Sequence, residues 1–119
     1  MTRSKGHAFV SLIVLVAAVA TGCSARRERE ATLKQDLRVM RDALDNYTLD
    51  KKQAPQSLED LVNGRYLKEI PTDPFTRKKD WVPQIDEVVL TEAQTSTGIV
   101  DVHSNSTQVA NNGTPYNEW

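Results

Sequence analysis

One amphipathic stripe constrains this chain more than any other feature. In Arg26–Asp50 (RREREATLKQDLRVMRDALDNYTLD), Leu33, Leu37, Met40, Leu44 and Tyr47 recur at spacings of four, three, four and three. Residues three and four apart are neighbours on an α-helix, so all five lie on one side. The segment is dominated by Leu, Met, Ala, Arg, Lys, Gln and Glu, which favour helix. Lys34, Arg38, Arg41, Asp42 and Asp45 occupy the other faces, where they suit water. The spacing predicts a helix over about 26–50 with one apolar face that the rest of the chain must cover.

The 119 residues suffice for one small domain. A domain of about 90 residues buries only around two-thirds of its unfolded surface, so marginal stability or support from neighbouring molecules is expected. A net charge of −1 gives no electrostatic case for a nucleic-acid partner, which needs a basic patch. The single cysteine, Cys23, excludes an intramolecular disulfide and a multi-cysteine zinc site.

Ahead of the helix, Arg3 and Lys5 precede the apolar run Ala8–Ala20 (AFVSLIVLVAAVA). As a helix this run spans roughly 20 Å, short of the ~30 Å hydrocarbon core of a bilayer. A basic start, a short apolar run and the small residues Thr21 and Gly22 describe an export signal. The ending Ala20-Thr21-Gly22-Cys23 resembles a bacterial lipobox, in which the cysteine is lipidated and becomes the first mature residue, although Ala20 stands where Leu is usual. Two readings stand. Either residues 1–22 are a signal peptide and Cys23 carries the lipid, or residues 1–22 are an uncleaved anchor helix continuous with 26–50. Both tether residues 23–119 to a membrane, outside the cytoplasm. Several acyl chains on one cysteine make a stable tether, since each buried methylene contributes about 0.8 kcal/mol.

After the helix, Pro55 forces the preceding stretch to be extended. Ser57 reads as an N-cap, with Asp60 three residues on. A short helix Leu58–Asn63 follows, with Gly64 placed for a left-handed C′ position. Tyr66, Leu67 and Ile70 are apolar points expected to pin the next loop onto the long helix. Pro71-Thr72-Asp73-Pro74 is a rigid turn. Phe75–Lys79 reads as polar and exposed. Three short strands are expected: one starting at Asp80–Val82 with Trp81 facing the core, one at Glu87–Thr91, and one at Gly98–His103. Pro83 confines the first to an edge or strand end, and Glu92–Thr97 reads as a polar loop. In the last strand, alternation puts Ile99, Asp101 and His103 on one face and Val100 and Val102 on the other. Ser104–Gly113 is a loop, and Tyr116 and Trp119 dock the tail. Helices first and strands after give an α+β domain, a long N-terminal helix packed on a small antiparallel sheet.

The segments LKQDLRVMRDALDNYTLDK, APQSLEDLVNGRYLKEIPTDPFT, GIVDVHSNS and GTPYNEW, with Trp81, resemble the major (G-type) pseudopilins of type II secretion systems and related type IV pilin-like proteins. The resemblance covers about Ala25–Trp119 and is most specific in PQSLEDLV…GRYLKEIPTDPF. It implies a pilin-like fold, a periplasm-facing position at the membrane, other pseudopilin or secretion-system subunits as partners, and mechanical work without catalysis. Two features depart from the family. Its members carry a glutamate at the fifth mature position. Counting from Phe9, this chain has Ile13 there and no acidic residue before Glu28. That departure and Cys23 favour a lipoprotein that kept the globular domain and exchanged the assembly helix for a lipid anchor. Major pseudopilins also hold calcium in the loop before the C-terminus, through hard oxygen ligands. Residues 101–113 offer one carboxylate, Asp101, so calcium is disfavoured and no cofactor or metal ligand is expected.

Asp101, His103 and Ser104 are the one constellation with catalytic residue types. No oxyanion-hole motif or nucleophile elbow accompanies them, so they read as a polar edge. Arg77-Lys78-Lys79 reads as a solvated basic turn. Arg26–Glu30 has mixed signs and reads as a helix-solubilising run.

Overall fold

The computed structural model describes the backbone from Thr2 and the side chains of residues 24–119. The export or anchor reading of residues 1–22 and the lipidation of Cys23 concern side chains outside that range. The chain divides into two compact units, Met1–Ala31 and Thr32–Trp119. In the first, Arg26 and Glu30, both partly exposed, form an i, i+4 ion pair at 3.6 Å, an arrangement that contributes about 0.5 kcal/mol at most.

The elements, in order, are α1 (Thr2–Lys51), α2 (Glu59–Asn63), β1 (Val82–Thr91), β2 (Gln94–His103) and a closing 3₁₀ turn at Tyr116–Glu118. α1 contains the whole predicted stretch 26–50 and ends where the apolar spacing ends, with Lys52 in the left-handed region at φ 54°. In the second unit its stripe is buried: Leu33, Leu37, Met40 and Leu44, joined by Ala43, are almost fully covered, and Tyr47 is partly so. The cover comes from Leu61 of α2, from Leu67 and Trp81, from Ile99 and Val102 of β2, and from Ala110 and Tyr116 of the tail. A long helix thus packs on a small antiparallel sheet, in an α+β arrangement.

The sheet has two strands rather than the three expected. β1 runs unbroken through Pro83 to Thr91, a two-residue turn at Glu92-Ala93 follows, and β2 takes up Gln94–Thr97, the stretch read as loop. Backbone pairing with β1 overrides the polar composition of those residues. The ladder shifts register between Gln84 and Ile85: Gln84 faces Asp101 while Ile85 faces Ile99, so Val100 is an extra residue in β2. Such a bulge breaks strict alternation. Ile99 and Val102 are consequently both buried, where period two had put them on opposite faces.

Three local expectations fail for identifiable reasons. Ser57 does not cap α2 with its hydroxyl; instead Asp60 Oδ2 accepts from the main-chain N–H of Gln56 at 3.0 Å and of Ser57 at 3.3 Å. The left-handed residue after α2 is Arg65 (φ 66°), while Gly64 stays right-handed at φ −81°. Gly64 is needed for space: a Cβ there would lie 3.0 Å from the Tyr66 ring and 3.1 Å from the Asp60 carbonyl oxygen. Phe75 is not a solvated residue but stacks on Tyr116, ring centres 3.9 Å apart.

Ala54, Pro55 and Gln56 join α1 to the hairpin as a short strap along β2. The Ala54 N–H donates to Ser96 Oγ at 2.9 Å and the Pro55 carbonyl accepts from Ile99 N–H at 2.8 Å. Tyr66 does what its position suggests: its ring meets Tyr47 edge-on at 5.4 Å, and its hydroxyl donates to Asp50 at 2.9 Å. Loss of solvation, then the Asp50 bond, pushes the Tyr66 phenol above its ordinary value.

Candidate functional site

Two places gather polar chemistry. The first is built on the Pro71–Pro74 turn. Asp73 is fully buried, where a carboxylate is costly unless hydrogen-bonded. Its Oδ1 accepts from the N–H of Phe75 at 2.8 Å, the side-chain-to-backbone bond two residues on that an Asp in a turn makes. Its Oδ2 accepts the hydroxyl of Ser104, itself fully buried and 31 residues away. Ser104 Oγ in turn accepts from Ser106 N–H at 3.1 Å, and Ser106 Oγ from Gln108 N–H at 3.3 Å. The Ser-rich loop is thus tied by its own side chains to the turn. Alongside, Asp80 accepts from Thr76 Oγ1 at 2.6 Å and Asn105 Nδ2 at 3.1 Å. The Thr76 bond first, then Asn105, holds the Asp80 carboxyl below its ordinary range. On α1, half-buried Asp36 sits near Asp73, and desolvation followed by that second carboxylate pushes it up.

The second place locks the tail. Arg41 Nε donates to Asp101 Oδ1 at 2.7 Å, and Nη2 to the main-chain oxygens of Val102 at 3.1 Å and Trp119 at 2.8 Å. His103 Nδ1 lies 2.9 Å from the same Trp119 oxygen. A carbonyl oxygen can only accept, so Nδ1 carries a proton here. His103 Nε2 lies 3.2 Å from Gln84 Oε1 and 3.6 Å from Asp101 Oδ2. Lys34 Nζ stands over the Trp119 ring, 5.1 Å from its centre, a geometry in which the ring face attracts the cation. Arg41 and Lys34 belong to helix faces the spacing had assigned to water. Their partners lie 60 to 85 residues further on, beyond the reach of any local pattern.

Asp101, His103 and Ser104 therefore do not act on one another in series. Asp101 is engaged by Arg41 and lies within ion-pair distance of His103, but His103 is held by Trp119 and Gln84, and Ser104 is engaged by Asp73 rather than by His103. Asp73 and Arg41 organise both clusters and were not singled out by sequence reasoning. The one available signal was an Asp enclosed by two prolines. Among the described residues no three His, Cys, Asp or Glu side chains converge as metal ligands would, and no helix is long and apolar enough to cross a membrane. Among them, every buried side-chain nitrogen and oxygen has a hydrogen-bond partner.

Between the end of α1 and the hairpin lies an open groove of about 500 Å³. Leu44, Leu49, Val88, Leu90, Ile99 and Val100 give it an apolar lining, and Asp45 and Lys52 add charge. Leu49, Ile85 and Val89 are 63, 64 and 72% exposed. Leu49 and Val89 border the groove, and uncovered apolar side chains beside a groove mark a surface suited to contact with other molecules. No protein-family model matches the chain, and no curated protein or solved structure matches it.

Proposed function

We propose that this chain is a pseudopilin-like structural component of a type II secretion or type IV pilus-like system, anchored at the bacterial membrane and facing the periplasm. Its work is contact with other pseudopilin or secretion-system subunits through the helix and the hairpin. The observation that carries this reading is the cover of the α1 stripe. A short helix, a Pro-Thr-Asp-Pro turn, a hairpin and a tail close over it in the order a pilin-like domain uses, with Asp73 of that turn fixed to Ser104. The role is mechanical, and this reading assigns the subunit no catalysis, cofactor or metal.

Cross-linking in cells tests the assignment. Cross-links from the hairpin or the exposed side of α1 to secretion-system subunits are expected; cross-links confined to unrelated envelope proteins would overturn it. That second outcome defines the other reading, an envelope lipoprotein using the fold as an adaptor. Cys23, and Ile13 where the family has glutamate, favour it. Mass spectrometry of the membrane-extracted protein separates the anchors. A mature chain beginning at an acylated Cys23 supports lipidation, and an intact chain beginning at Met1 sinks it.

A further inference from the structure

The two outer edges of the hairpin are not equivalent. That of β2 is occupied by the strap: Ile99 N–H donates to the Pro55 carbonyl at 2.8 Å, and the Thr97 carbonyl accepts from Gln56 Nε2 at 2.7 Å. In an antiparallel ladder, the N–H and C=O of one residue point the same way, and directly opposed residues either both face each other or both face outward. Ile99 and Thr97 face away from β1. Their partners Ile85 and Glu87 therefore face away from β2, and so does Val89, two further on and opposite Thr95. Among the described residues no main-chain bond closes this outer edge. The Glu87 N–H is met by the neighbouring Asp86 carboxylate at 2.7 Å. Pro83, which has no N–H, bounds the edge on one side, and the register shift after Val89 bounds it on the other.

We propose that the outer edge of β1, from Ile85 to Val89, is a strand-addition site for an extended segment of a partner protein that presents an apolar, a basic and an apolar residue at alternate positions. Main-chain groups on an open edge bind an extended peptide, and the side chains at alternate positions select it. Ile85, Glu87 and Val89 share one sheet face by the two-residue period. They call for apolar neighbours opposite the first and third and a Lys or Arg opposite the second. A second copy meets its own charge in two registers. Antiparallel self-pairing centred on Glu87, which would set Ile85 against Val89, puts Glu87 directly opposite Glu87. Centring it on Asp86 opposes Asp86 to itself. Like charges directly opposite destabilise a pair, so both of these registers are disfavoured for a second copy, while the main-chain groups of Ile85 and Val89 stay available to a partner. The inference goes beyond the secretion-component reading and stands independently of it.

The test uses the full chain and a synthetic heptapeptide alternating threonine with valine, lysine and valine. Binding is read by fluorescence anisotropy, and its place by hydrogen exchange of the Ile85 and Val89 amides. Slowed exchange at both amides is expected. So is at least about tenfold weaker binding of the peptide with glutamate in place of lysine, or with its edge-facing amides N-methylated. Glu87→Lys should reverse the preference between the lysine and glutamate peptides. The exposed position leaves the fold of that variant intact, as circular dichroism would report. The proposal is overturned if neither peptide slows exchange at β1, if the N-methylated peptide binds equally well, or if protection maps only to the groove beside α1. Protection of β1 that rises with protein concentration and needs no peptide would likewise overturn it, in favour of a second copy.

Discussion

The tail and the hairpin treat the same kinds of side chain in opposite ways. Tyr116 is 0% exposed, stacked on Phe75 and edge-on to Trp119 at 4.9 Å, with its N–H donating to the Gln108 carbonyl. Val89, 72% exposed, has an apolar side chain with little to cover it. The tail spends its aromatic surface on the domain itself, and the polar ties of Asp73 and Arg41 fix one arrangement. The hairpin leaves apolar surface and a strand edge uncovered. Stability therefore concentrates in the tail and the turn, and capacity for contact concentrates in the hairpin. Substitutions should divide along that line.

Tyr116→Ala is expected to cost the most, about 3–5 kcal/mol. Urea unfolding would read it, and a loss below about 1 kcal/mol would mean the tail is not part of the cooperative core. Asp73→Ala follows at about 2–3 kcal/mol, because it removes the acceptor of the buried Ser104 hydroxyl and of the part-buried Phe75 N–H. Gly98→Ala probes the joint between the two regions. A Cβ there would stand 2.6 Å from the Pro55 carbonyl oxygen and 2.8 Å from the Ala54 Cβ, both held by the strap. An overpacking loss of about 1–3 kcal/mol is expected, with faster exchange of the Ile99 amide.

Asp36 sharpens the comparison through pH. Its folded-state pKa lies above the ordinary 3.8, from desolvation and then Asp73. For an acid shifted upward, the folded state binds the proton more tightly than the unfolded state. The charged form then carries a penalty that is complete above the raised pKa and absent below 3.8. Asp36→Asn should raise the urea midpoint at neutral pH, and the gain should shrink to nothing as pH falls below 3.8. A gain independent of pH would show that charge is not its source. The smallest effect belongs to Val89→Thr, within about 0.5 kcal/mol at so exposed a position. A large loss there would break the contrast, since it would mean the hairpin tip carries stability as well as contact.

The long helix was legible because its signal is local. Leu33, Leu37, Met40 and Leu44 announce their face by spacing alone, and the helix ends at Lys51, where the spacing stops. The α+β class, Trp81 as a core residue and the docked tail were legible in the same way, from large apolar side chains that must be buried. The candidate sites were not. Ser104 was visible as a residue type but not as the partner of Asp73, and Arg41 resembled every other exposed helix cation. Gln94–Thr97 lacks the apolar alternation that marks a half-buried strand, and only its pairing with β1 makes it one.

By itself the sequence determined one amphipathic helix and the order of the segments that cover it. These depend on residues a few positions apart, whose relation is set by helix and turn geometry. The tertiary structure decided which carboxylate is buried, which arginine holds the tail, where β2 gains its extra residue and which hairpin edge is left open. Each of those depends on groups tens of residues apart, and a buried polar group or a strand edge acquires its meaning only from what the fold places beside it.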